Sequence, residues 1–159
     1  MLDKQELLTQ LIAQIKDDID KQRKSFEFAR NTSVDAPGRM QSRYDTMGVE
    51  SAWVADGLAK ALNEKEMYIS RLANFQFGEV ADNVCLGSII GISSEGASLL
   101  EYYFILPVAS GYKLQVGDTT IVTLTPATPL GKTLIGKQVG DEIDVNFPKQ
   151  RTITIEELS

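Results

Sequence analysis

Histidine is absent from this chain of 159 residues, and cysteine occurs once, at Cys85. The first absence removes the commonest general base and the commonest transition-metal ligand, which excludes Ser-His-Asp, Cys-His and zinc chemistries. The second rules out an internal disulfide. Long apolar runs are also missing: Ile89 to Ile92 and Phe104 to Val108 fall far short of the roughly 20 residues that cross a bilayer. The N-terminal stretch Leu2-Asp3-Lys4-Gln5-Glu6 opens like a helix, not like a basic region followed by an apolar signal core. The expectation is a cytoplasmic protein with no membrane span. Hydrophobic residues nevertheless make up 43% of the chain, which is normal for a globular protein and argues against disorder.

The net charge of -6 is unevenly spread. From Phe77 onward there are 5 basic and 10 acidic residues, the wrong sign for binding phosphates, so duplex DNA is not the expected partner of the second half. A protein surface suits it better. Between positions 21 and 43, Lys21, Arg23, Lys24, Arg30, Arg39 and Arg43 face only Glu27 and Asp35. Such a stretch can meet an anion or can simply be a solvated helix face.

Apolar spacing organises the first half. Leu8, Ile12, Ile15, Ile19, Gln22, Phe26 and Ala29 alternate steps of four and three, the seam of a heptad repeat interrupted only by Gln22. Ala55, Leu58, Leu62, Lys65, Ile69 and Leu72 form a second such seam. Two helices, the first from about Lys4 to Arg30, are expected to pair as an antiparallel hairpin over residues 1–76, with its tip near 31–45. Ser33, Asp35, Pro37 and Gly38 supply turn formers, and Pro37 drives Ala36 out of helical geometry. Ser42 and Asp45 fit a capping box for the second helix, and Gly48 weakens its first turn, so regular helix is expected from Val49. Trp53 falls within the apolar pattern and is expected to pack.

Beyond Gln76 the pattern changes to short branched and aromatic runs separated by glycine turns. Val84–Ile92, Leu99–Leu106, Thr119–Thr125, Glu142–Phe147 and Thr152–Glu156 are expected strands of an antiparallel sheet. Cys85 reads as a strand residue. Thr128 can cap a short helix that has Pro129 at its first position and Gly136 as its stop, with Leu130, Leu134 and Ile135 covering the sheet. The fold class is thus α+β, with a β-rich domain over residues 77–159 following the hairpin.

The segment Thr128-Pro-Leu-Gly-Lys-Thr-Leu-Ile-Gly-Lys-Gln-Val-Gly-Asp-Glu142, followed by Ile143-Asp-Val145, resembles the C-terminal signature of Gre-type (GreA/GreB-like) transcription elongation factors. Leu86-Gly87-Ser88 and the hairpin that precedes this domain extend the resemblance over most of the chain. It implies an FKBP-like C-terminal domain that grips bacterial RNA polymerase, with Thr128, Pro129 and Leu130 as docking residues and the hairpin entering the secondary channel. In cleavage-stimulating members of the family, acidic residues of an Asp-Leu-x-Glu-Asn type motif at the tip share a magnesium ion with the polymerase, which cuts backtracked RNA. This tip lacks that motif. It offers Asp45 and Asp35 as candidate magnesium ligands, with Glu50 one turn further on, and Arg39 and Arg43 as candidate contacts to phosphates near the RNA 3′ end. The hydrolysis itself belongs to the polymerase, so the chain is expected to be its cofactor and not an enzyme. Helix capping by Asp45, a solvated turn at Asp35 and ordinary loop arginines are the plainer roles for these residues.

Three functional classes remain open at this point. The first is a polymerase-binding regulator that either stimulates RNA cleavage or occupies the channel and inhibits. The second is a peptidyl-prolyl isomerase or chaperone, which requires an aromatic-lined pocket from Tyr102, Tyr103, Phe104, Tyr112 and Phe147. The third is a coiled-coil module that dimerises through its hairpin.

Overall fold

The structure is a computed structural model that describes the backbone of residues 2–34, 41–79 and 81–159, and the side chains of 2–31, 53–79 and 81–159. Its elements are α1 (Lys4–Val34), α2 (Gln41–Ala73), β1 (Ile89–Ser94), β2 (Glu101–Ile105), β3 (Lys113–Val116), β4 (Thr119–Leu124), α3 (Pro129–Leu134), β5 (Glu142–Val145) and β6 (Arg151–Leu158). The chain divides into two compact units, one made of Met1–Leu11 with Arg71–Ser159, the other of Ile12–Ser70.

The Ile12–Ser70 unit is a helical hairpin. Asp18 of α1 pairs with Lys65 of α2 at 3.4 Å, and Arg23 with Glu66 at 2.7 Å. Only six residues separate the two helices. Fully extended they reach about 22 Å, too short to carry the chain back for a parallel pairing, so the helices run antiparallel. Ile15 and Ile19 of the expected seam are buried, and Ala55, Leu58, Leu62, Lys65 and Ile69 are all half-buried. Gln22 keeps its seam position, with its side-chain oxygen buried and unpartnered among the described residues.

Several expectations for this unit change. Both helices run further than expected, α1 to Val34 and α2 from Gln41, and the centre of the expected tip, residues 35–40, lies outside the described residues. Because α2 starts at Gln41 and runs unbroken through Gly48, Ser42 lies inside the helix and not ahead of it. One glycine costs about 1 kcal/mol, too little to end a helix of this length. Trp53 is 72% exposed and does not pack, because it lies beside the seam residue Ala55 on a different face of the helix.

The other unit centres on a six-stranded sheet of order β3-β4-β2-β1-β6-β5. Four of its pairings are antiparallel, as expected, and one, β2 with β4, is parallel. The parallel pair follows from β3, a strand absent from the sequence reading, which turns back through Gly117-Asp118 to form a hairpin with β4. Once β3 takes the edge, β4 must run alongside β2 in the same direction. Lys113-Leu-Gln-Val116 does alternate polar and apolar residues, but over only four positions, and Leu114 alone is buried, so the signal is too short to stand out in the sequence.

One face of the sheet carries the main core: Ile90, Ile92, Ile105, Leu124, Ile143, Val145, Ile153 and Ile155, with Leu134 of α3 and Val84. On the opposite face Phe104 is fully buried and its ring stacks on Phe77 at 6.1 Å. Within the same unit the start of α1 meets the edge of the sheet. The Gln115 amide donates to Gln10 Oε1 at 2.8 Å, while Gln10 Nε2 donates to the Gln115 carbonyl at 3.2 Å. Leu7, Leu8 and Leu11 are buried there, which explains why Leu7 and Leu11, both off the heptad seam, are apolar.

Candidate functional site

The signature segment begins where β4 ends. Thr128 adopts extended geometry ahead of α3, and its Oγ1 accepts from the Gly131 amide at 3.1 Å while donating to the Thr125 carbonyl at 2.7 Å. Pro129 occupies the first turn, where a missing amide hydrogen does no harm. The expected cap is therefore present. Gly131 is required by contact: a Cβ there would lie 1.9 Å from the Thr125 carbonyl oxygen. Leu130 packs against the main core and Leu134 is fully buried in it. Ile135, expected on the sheet, is instead partly exposed, because the helix ends at Leu134 and Gly136 adopts a φ of +80°.

The remainder of the signature is knitted into the fold. The Gly136 amide donates to the Val84 carbonyl and the Val84 amide to the Lys137 carbonyl, both at 2.8 Å. Asp141 Oδ2 accepts from the Gln138 amide at 2.8 Å and closes the turn before β5. Leu86-Gly87-Ser88 is a turn and not a strand: Ser88 Oγ accepts from the Cys85 amide at 3.1 Å, and Gly87, at a φ of +89°, sits where a Cβ would meet the Phe77 ring at 3.0 Å. Cys85 is accordingly half-exposed outside the sheet.

Of the three docking candidates, Thr128 is occupied by its cap bonds and Leu130 by the core, and Pro129 remains exposed. Ile135 and Val139 are exposed apolar neighbours in the same segment, the latter at 54%. Sequence reasoning missed Val139; the signal available was its place between two turn-forming positions, Gly136 and Gly140. The tip candidates are not brought together by anything described. Asp35 and Arg39 lie outside the described residues. Arg43 and Asp45 lie on the α2 backbone, but their side chains are outside the described set, as is Glu50. Among the described residues no group of three or more His, Cys, Asp or Glu side chains is placed to hold a metal, and no helix is long and apolar enough to cross a membrane.

The aromatics required for an isomerase pocket are dispersed. Tyr102 reaches Glu157 at 3.1 Å, while Phe104 is buried under Phe77. Tyr103 faces the other side of the sheet, and Phe147 is exposed beyond the end of β5. Tyr103 instead joins a polar cluster. Its hydroxyl donates to Glu101 Oε2 at 2.8 Å, and Arg151 donates to both Glu101 oxygens at 3.0 and 3.2 Å. Hydrogen bonding from Arg151, helped by Tyr103 and opposed by partial burial, holds the Glu101 carboxyl below the usual range. A depressed pKa contributes stability that is present above the unfolded value, about 4.3, and lost as pH falls through the lower folded value. The urea midpoint is expected to fall more steeply below pH 4.3 or so in the wild type than in Glu101→Gln. Identical slopes would remove the cluster from the acid response.

A long two-helix hairpin and a mixed-sheet α+β unit with one short helix define the class of architecture. Solved structures that this chain is similar to include GreA factor homolog 1 (Gfh1) of Thermus thermophilus, at 18% identity and a TM-score of 0.39 over 93% of this chain and 94% of that one. Thermus aquaticus Gfh1 is similar at 14% identity and a TM-score of 0.38, over 92% of each chain. A GreA/GreB elongation factor from Nitrosomonas europaea is similar at 17% identity and a TM-score of 0.37, over 60% of this chain and 78% of that one. Likenesses this distant carry no functional argument. No family model and no curated protein matches the chain.

Proposed function

We propose that this chain is a regulator of bacterial transcription elongation that binds RNA polymerase through the exposed end of its signature segment and presents its hairpin tip to the secondary channel. The reading is carried by Pro129. Thr128, Leu130, Gly131 and Asp141 are each used inside the fold, and Pro129 stands exposed at the first position of α3. With its flanking residues Thr128 and Leu130 both used inside the fold, Pro129 is the member of that group free to meet a partner, and the exposed Ile135 and Val139 of the same segment extend the apolar surface. The hairpin suits the second half of the reading: α2, with 33 residues, is about 50 Å long at 1.5 Å per residue, long enough to reach into a channel.

At the tip, Asp45 and Asp35 would hold a magnesium ion shared with the polymerase, which supplies the metal-activated water for hydrolysis. Arg39 and Arg43 would contact phosphates near the RNA 3′ end. The absence of an Asp-Leu-x-Glu-Asn run between Asn31 and Glu50 favours a second form of the same function, a channel-occupying regulator that binds without stimulating cleavage. Occupation needs shape, whereas hydrolysis also needs well-placed carboxylates.

The test is RNA cleavage in backtracked elongation complexes of the cognate polymerase, measured beside direct polymerase binding. Pro129→Ala leaves the Thr128 cap intact and is expected to weaken binding about tenfold, the scale of one well-packed contact at the centre of an interface. Cleavage abolished by Asp45→Asn with binding retained establishes the metal-assisting tip. Binding without cleavage establishes the occupying regulator, and wild-type protein that fails to bind polymerase overturns the proposal.

A further inference from the structure

The main-core face of the sheet is not covered to its end. Leu124 of β4 belongs to the core, whereas Val122, two residues earlier and so on the same face, floors an open groove of about 680 Å³. Tyr103 lies beside Val122 across the parallel pairing, and Lys113 lies on its other side. Leu100 and Leu99 form a wall, and Leu99, at 82% exposure, is the most exposed large hydrophobic residue among those described. Thr119 and Thr120 line the end away from α3. A contiguous apolar strip of this kind on a folded surface marks a place where something binds.

Charge selects the occupant. Glu101 and Asp118 stand at the Thr119 end of the groove. Glu101 is held by Arg151, but Asp118 is exposed and makes no ion pair among the described residues. The one cation lining the groove, Lys113, stands across from Val122, at the end away from Asp118. The surrounding sequence from Phe77 onward is acidic, with 10 acidic against 5 basic residues. An acidic ligand is repelled there, and a ligand with a lysine or arginine is favoured. The groove is open along its length, which suits an extended chain better than a small molecule that needs enclosure.

We infer that this groove docks an extended segment of a second protein, one that sets aliphatic side chains on Tyr103, Val122 and Leu99 and places a lysine or arginine at Asp118. The charged end of this contact is separate from the Pro129 segment: Thr120 lies four residues, about 13 Å at roughly 3.3 Å per residue, before Leu124 at the end of β4. The two surfaces can therefore be tested independently.

The experiment is amide NMR of the full chain titrated with the capped hexapeptide Gly-Lys-Leu-Val-Lys-Gly and with its counterpart carrying glutamate in place of both lysines. The expected result is saturable shifts confined to Leu99–Tyr103, Lys113 and Asp118–Val122, with the glutamate peptide at least about tenfold weaker. Val122→Glu is expected to abolish the shifts while keeping a dispersed spectrum, and Asp118→Lys to narrow the preference for the basic peptide. Pro129→Ala is expected to bind the peptide as the wild type does. Shifts that do not saturate, equal affinity for both peptides, or shifts mapping elsewhere would overturn the inference.

Discussion

Gly131→Ala is expected to lower the stability of the β-rich unit by roughly 3 kcal/mol. The new methyl group would stand 1.9 Å from the Thr125 carbonyl oxygen and 2.8 Å from Thr128 Oγ1. The first is backbone and cannot rotate away, so the turn between β4 and α3 must open. Opening it also breaks the Thr128 cap, a further loss of about 1 kcal/mol. Gly136→Ala is the matched control, because that residue has a φ of +80° but nothing within 4 Å of a Cβ. It should cost only the strain of the left-handed conformation, about 1 kcal/mol. Urea denaturation of the two variants separates contact from strain, and equal losses would show that the turn is not closed as described. If the Pro129 surface is the polymerase contact, Gly131→Ala should lose binding along with stability, whereas Gly136→Ala should keep it.

Phe104→Ala should be at least as damaging, by roughly 3–5 kcal/mol. Its side chain is fully buried on the face opposite the main core, and its ring stacks on Phe77, which in turn meets Phe75 edge to face at 5.3 Å. Removing it leaves a cavity bordered by aromatic rings and strands, neither of which can collapse readily into the space. Phe147→Ala is the comparison: that side chain is 71% exposed and should change stability by less than about 0.5 kcal/mol. Thermal unfolding of both variants checks the contrast. A small loss at Phe104 would mean that the second face of the sheet is not packed.

The contrast between these phenylalanines also shows what the sequence could not reveal. Both fall inside expected strands, Leu99–Leu106 and Glu142–Phe147, and only the end of β5 at Val145 puts Phe147 beyond the sheet. The hairpin seams, the Thr128 cap and the Gly136 stop were legible because each depends on residues a few positions apart. Strand β3 and the parallel β2–β4 pair were not, since β3 buries a single side chain and the pairing is decided by which strand takes the edge. Trp53 misled because an apolar residue beside a seam looks like part of it; only the helix phase separates the two. For the candidate site, the resemblance singled out Thr128, Pro129 and Leu130 as a group, and local chemistry then divided them. A threonine before a proline can satisfy its own helix, and the leucine right after the proline packs on the core, so only the structure could show which member is left outward.

The pairing of Gln10 with Gln115 has a consequence for how the sheet ends. A border strand normally presents free amide and carbonyl groups that can template the addition of another chain. Here a side-chain carboxamide, itself a donor and an acceptor in the geometry of a peptide group, takes both positions at the centre of β3. One glutamine thus stands in for the neighbouring strand that the sheet lacks, and the protein resists growing into a fibre from that side without enlarging its fold.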